Sequence, residues 1–166
     1  FTGYRPGADK LPGYDDKWLG YPRDYNKLMD LLEQEKIENT VFLTGDTHRA
    51  VVLALHREEK YMNYTRPHTE RPLAWELYTP SITSGNDDRM PLPRLRAKEK
   101  EVFDKAVNPH LLYADMIAHG YYIARIDAGS FQADYYYANS LITRKTAERK
   151  GASLAMNAEE FVLKAS

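Results

Sequence analysis

Thr40-Val41-Phe42-Leu43-Thr44-Gly45-Asp46-Thr47-His48 is followed at once by a second apolar run, Ala50 to Leu55. The continuous β-prone stretch from Thr40 to Gly45 has the pattern of a strand covered on both faces in an α/β sheet. Directly behind it stand a carboxylate and an imidazole two residues apart. Along extended backbone, residues i and i+2 share a side, so Asp46 and His48 can turn together toward one cation. A catalytic metal needs three or more protein ligands, and this chain has few other candidates at comparable spacing. The pair reads as half of an active site.

Upstream, Tyr21, Tyr25, Leu28 and Leu32 recur at helical spacing, widened by Met29 and Leu31, and Pro22 suits a first turn. This predicts a helix from about Pro22 to Lys36. Residues 1–20, rich in Gly, Pro, Asp and Tyr, read as a loop-like entry with turns at Pro6-Gly7 and Pro12-Gly13. Downstream, Ala50–His56 reads as a strand or short helix and Arg57–Arg71 as a surface loop. Leu73–Ile82 reads as a strand closing in a Thr83-Ser84-Gly85-Asn86 turn. Pro91 and Pro93 interrupt regular structure before an exposed helix over Leu95–Val107, which Asn108-Pro109 ends. Gly120–Asp127 and Phe131–Ala138, joined by Ala128-Gly129-Ser130, predict an antiparallel hairpin. Residues 142–166 are weakly patterned and read as a closing helix or tail.

The chain has 166 residues, a length suited to one domain spanning 1–166. Its 23 basic and 24 acidic side chains leave a formal net charge of −1, so no nucleic-acid-binding surface is evident from charge. The absence of cysteine excludes disulfides and thiolate ligands. No apolar stretch approaches the length of a membrane span, and no signal peptide is evident.

Asp16-Lys17-Trp18-Leu19-Gly20-Tyr21, then Val41–His48, Thr79-Pro80-Ser81-Ile82-Thr83-Ser84, Asn108-Pro109-His110, His119-Gly120-Tyr121 and the closing hairpin come in an order and spacing that resemble the C-terminal half of PhoD-like alkaline phosphatases. That family is a branch of the calcineurin-like metallophosphoesterases. The resemblance implies an α/β fold: the C-terminal portion of a mixed β-sandwich flanked by helices. It implies hydrolysis of phosphate esters, with metal ligands at Asp46 and His48 and the remaining ligands in an N-terminal half outside these residues. It further implies iron with calcium as the metals, with zinc or manganese as alternatives, and an exported protein. His119, where it reaches the cleft, would donate a proton to the leaving alkoxide or bond a phosphoryl oxygen. On this reading the chain alone hydrolyses little, and its exposed sheet edges favour a homo-oligomer. The alternative is a non-catalytic interaction or oligomerisation module that keeps the scaffold.

Other features have plainer readings. For His119 a structural role before a strand competes with the catalytic one. Asn86, Asp87 and Asp88 read as a solvated turn, and Arg89, Arg94 and Arg96 as an exposed loop, although either group could meet calcium or phosphate. Trp18 and Tyr21 read as staples at a helix entrance, though they could line the mouth of the cleft. Tyr135 and Tyr137 share a face with Phe131 as sheet packing, while His56, His68 and His110 show no ligand spacing. Asn63-Tyr64-Thr65 is a formal glycosylation acceptor.

Overall fold

The computed structural model describes residues 18–57, 65–143 and 147–165. The Asp16-Lys17 pair, almost all of the 1–20 entry with its two expected turns, and the Asn63-Tyr64 part of the acceptor lie outside them.

A 3-10 turn at Trp18–Gly20 leads into helix α1, Pro22–Gln34, with Pro22 at its first position as anticipated. Tyr25, Met29 and Leu32 form its buried stripe. Tyr21 and Leu31, expected in that stripe, are exposed. Four strands, β1 (Thr40–Thr44), β2 (Ala50–Leu55), β3 (Ala74–Tyr78) and β4 (Leu111–Asp115), build one sheet in the order β1-β3-β2-β4. β1 runs parallel to β3, whereas β2 runs antiparallel to β3 and β4. β1 is an edge strand here and Leu43 is 53% exposed, so the expectation of cover on both faces fails for β1. The strands buried on both faces are the two central ones, β3 and β2.

Helix α2 spans Leu92–Val102, starting earlier than expected because Pro91 is its N-cap and Pro93 sits in its first turn. Prolines interrupt a helix only in its interior; at its start the missing N–H has no carbonyl to meet. The hairpin forms as read, β5 (Gly120–Ile126) against β6 (Ser130–Ala138). Where a helix or tail was expected over 142–166, the chain adds β7 (Glu148–Asn157) and β8 (Lys164–Ala165), completing a second, antiparallel sheet β5-β6-β7-β8.

The layers follow from strand alternation. Val51, Leu53, Leu55, Ala74 and Tyr78 pack against α1 and α2. Val52, Ala54, Trp75 and Leu77 on the opposite face meet Phe131, Ala133, Tyr135, Tyr137 and Leu154 of the second sheet. Trp75 is fully buried there, and its indole N–H donates to the carbonyl of Phe161 at 3.0 Å. The result is a mixed sandwich with helices on one side. No helix among the described residues is long and apolar enough to cross a membrane.

Candidate metal centre

The strand registers bring three connections to one end of the first sheet. Thr44 pairs with Tyr78, Tyr78 with Val51, and Ala50 with Asp115. The turn 45–49, the loop 79–89 and the connection 116–119 therefore emerge side by side, stitched by Thr79 N–H to Thr44 O and Gly120 N–H to Ser81 O, both at 2.9 Å.

β1 ends at Thr44, so Asp46 and His48 do not lie on extended backbone as the spacing argument supposed. Thr47 N–H donates to Gly45 O at 3.0 Å around Asp46, whose φ is 73°. This is a γ-turn of the rare, strained hand. His48 also has a left-handed φ, 60°. Asp46 is exposed and His48 half-buried. The His48 Nδ1 lies 2.8 Å from the carbonyl oxygen of Gly85. A carbonyl only accepts, so Nδ1 must carry the hydrogen, and the neutral ring keeps its lone pair on Nε2. Histidines that bind metals are oriented in this way by a partner at the far nitrogen.

The 84–89 loop is held in turn by Asp87, whose carboxylate is buried rather than solvated as the sequence reading had it. Arg49 grips it with two bonds, Nε to Oδ2 at 3.0 Å and Nη2 to Oδ1 at 2.6 Å, and Lys98 Nζ adds a third at 2.7 Å. Burial alone would push the Asp87 carboxyl up, but the hydrogen bonds and charges of Arg49 and Lys98 outweigh it and hold it below the usual range. Sequence reasoning missed this cluster; the signals present were an arginine next to His48 and an acidic turn, with nothing to join them.

His119 is buried at the same end of the sheet. Its Nε2 lies 3.3 Å from Asp88 Oδ2 and its Nδ1 3.3 Å from Ser81 Oγ. Both histidines therefore meet the 81–88 segment, His48 at Gly85 and His119 at its two ends. Arg89, Arg94 and Arg96 are exposed. Trp18 lines a separate cavity of about 140 Å³ between α1 and β1, together with Tyr25, Phe42, Thr44 and Glu76. Tyr135 and Tyr137 are core residues, as expected.

Asp46 offers a hard carboxylate oxygen of the kind iron, calcium or manganese takes, and His48 an imidazole nitrogen of the kind iron or zinc takes. They do not complete a shell, because among the described residues no three of His, Cys, Asp and Glu gather into a group able to hold a metal ion.

Comparison with known proteins identifies the fold and the family. Alkaline phosphatase D of Bacillus subtilis (strain 168) is 25% identical over 136 residues, 81% of this chain and 21% of that protein. A solved structure described as "Structure of PhoD" superposes with a TM-score of 0.75 over 99% of this chain and 29% of that one, at 23% identity, and so shares its fold. The chain thus spans about a fifth of the length of the curated relative. The sequence pattern of PhoD-like phosphatases matches residues 3–135, and the chain belongs to the PhoD-like phosphatase family.

Proposed function

We propose that this chain carries part of the metal-binding apparatus of a phosphatase or phosphodiesterase, with Asp46 and His48 as cation donors and a phosphate ester as substrate. One observation carries the reading: the Gly85 carbonyl occupies His48 Nδ1, which reserves Nε2 as a ligand, next to a carboxylate held on a strained turn. The likeness to PhoD-like phosphatases favours iron with calcium, with zinc and manganese as alternatives. When bound, such cations activate a water and neutralise phosphoryl oxygens during in-line displacement.

The chain's own residues divide the remaining work. Asp46 and His48 set where the cation sits. His119, with Asp88 beside Nε2, holds the hydrogen that a leaving oxygen would take. The remaining donors lie outside the described residues, so the chain alone turns over a phosphodiester at background rate, and the whole activity belongs to an exported protein. That no three such donors gather among the described residues also favours a second reading, an interaction or oligomerisation module that keeps the scaffold without catalysis.

Manganese titration followed by NMR decides between them. On the first reading Mn2+ broadens the His48 ring signals before those of the other histidines, and Asp46→Asn removes the effect. Equal broadening of all five histidines would reject it in favour of the module. Asp46-dependent turnover of a chromogenic phosphodiester by the chain would show instead that the donor set is complete without further residues.

A further inference from the structure

We infer that Asp87 is a positioning residue for His48: its ion-pair cluster with Arg49 and Lys98 clamps the loop whose Gly85 carbonyl selects the tautomer of the His48 ring. The inference rests on the reading of His48 as a ligand, since only then does the free Nε2 have work to do.

The contacts form a closed circuit. Arg49 follows His48 directly, and its Nη1 donates to the carbonyl of Thr47 at 3.1 Å while the rest of the guanidinium holds Asp87. One planar group thus spans the 45–49 turn and the 84–89 loop. Gly85, two residues before Asp87, returns its carbonyl to His48 at 2.8 Å. Lys98 ties the same carboxylate to α2, and the backbone N–H of Asp87 donates to Met116 O at 3.2 Å. The loop is therefore held from the turn, from the helix and from the end of β4. The Asp87 side chain is 5% exposed, against 24% for Arg49 and 28% for Lys98, so the pairing works largely away from screening water. A loop resting on surface contacts alone would let Gly85 drift. Once that carbonyl leaves, no other group among the described residues holds the hydrogen at His48 Nδ1, and the ring can turn or shift its proton to Nε2, the atom needed for the cation.

The test uses the whole chain with 15N-labelled histidine at about pH 8, above the ordinary range for free histidine. Long-range 1H–15N spectra distinguish the two tautomers, and Mn2+ broadening reads cation capture separately. In the unsubstituted chain His48 is expected as the Nδ1–H form. In Asp87→Asn the ratio should move about tenfold toward Nε2–H and the Mn2+ midpoint should rise about tenfold, with the amide spectrum still dispersed. Should that variant fail to fold, Arg49→Lys, which keeps the charge but not the two-pronged grip, should shift the ratio in the same direction. An unchanged tautomer in a folded variant, an Nε2–H ring in the unsubstituted chain, or loss of folding in both variants would overturn the inference. If Mn2+ spares His48 while the tautomer still responds to Asp87, the reading of His48 as a cation ligand fails and the positioning role stands.

Discussion

At Asp46 the chain holds a non-glycine residue at φ 73°, a conformation that costs on the order of 1–3 kcal/mol and persists only where the surroundings enforce it. Asp46→Gly should therefore leave thermal stability unchanged or raise it by about 1 kcal/mol, while abolishing cation capture; a marked loss of stability would mean that the carboxylate is holding the turn. His56 makes a different point. It is buried and its Nε2 meets no hydrogen-bond partner among the described residues. Burial, with the Arg66 charge adding to it, lowers its pKa from 6.5 to about 4 against a hydrogen bond at the Pro67 backbone. A base depressed in the folded state contributes stability that is complete above the unfolded value. Denaturation midpoints should fall as pH drops from about 6.5 toward 4, and His56→Leu should flatten that slope. Residues were legible in the sequence where their chemistry is local: Asp46 and His48 stand two apart behind a strand. Asp87 was not, because its partner Arg49 lies 38 positions away and only the folded sheet joins them.

The elements divide along the same line. The hairpin β5–β6 was legible because its alternation and its turn are both local signals, with Asp127 Oδ1 accepting the Gly129 and Ser130 N–H groups at 2.8 Å. β7 was not. Glu-Arg-Lys-Gly-Ala-Ser-Leu-Ala-Met-Asn contains no β-branched or aromatic residue, so propensity points toward helix or coil, and pairing with β6 overrides it. β4 is only five residues long, behind Asn108-Pro109-His110, and carries no strong local signal, and α2, expected over Leu95–Val107, begins at the prolines thought to precede it and ends at Val102. Gly120 joins the site to the second sheet: a Cβ there would sit 1.9 Å from Tyr136 O and 2.9 Å from Tyr137 Cα, both backbone atoms that cannot step aside. Gly120→Ala should cost about 3 kcal/mol in chemical denaturation and disturb the neighbouring His119; a loss within 0.5 kcal/mol, about the effect of an ordinary surface change, would show that β5 is free to shift.

The whole molecule is one sheet shared between two cores, helices on one face and the second sheet on the other. Trp75 anchors the inner core, so Trp75→Ala should cost about 3–5 kcal/mol and loosen both sheets together in hydrogen exchange; protection lost from one sheet alone would contradict a shared core. Two buried carboxylates add an acid limit. Asp134 is held below the ordinary value by Ser153, Gln132, Lys150 and Arg125, whose contacts outweigh its burial, and Asp87 is held low by Arg49 and Lys98. Carboxyls depressed in this sense stabilise the fold above the unfolded value and lose that contribution as pH falls through the folded one. The decline that begins with His56 should thus steepen below about pH 4 and ease in Asp134→Asn. The family and the mixed α/β class were legible because distinct short motifs follow one another in order along most of the chain, whereas the layers depend on strands that only pairing defines. The most direct measurement is anomalous diffraction from crystals of the chain soaked in manganese. A peak within about 2.0–2.3 Å of His48 Nε2 and an Asp46 carboxylate oxygen is the predicted result. A peak elsewhere, or a His48 ring bonded through Nε2 with Asp46 turned away from it, would contradict the account.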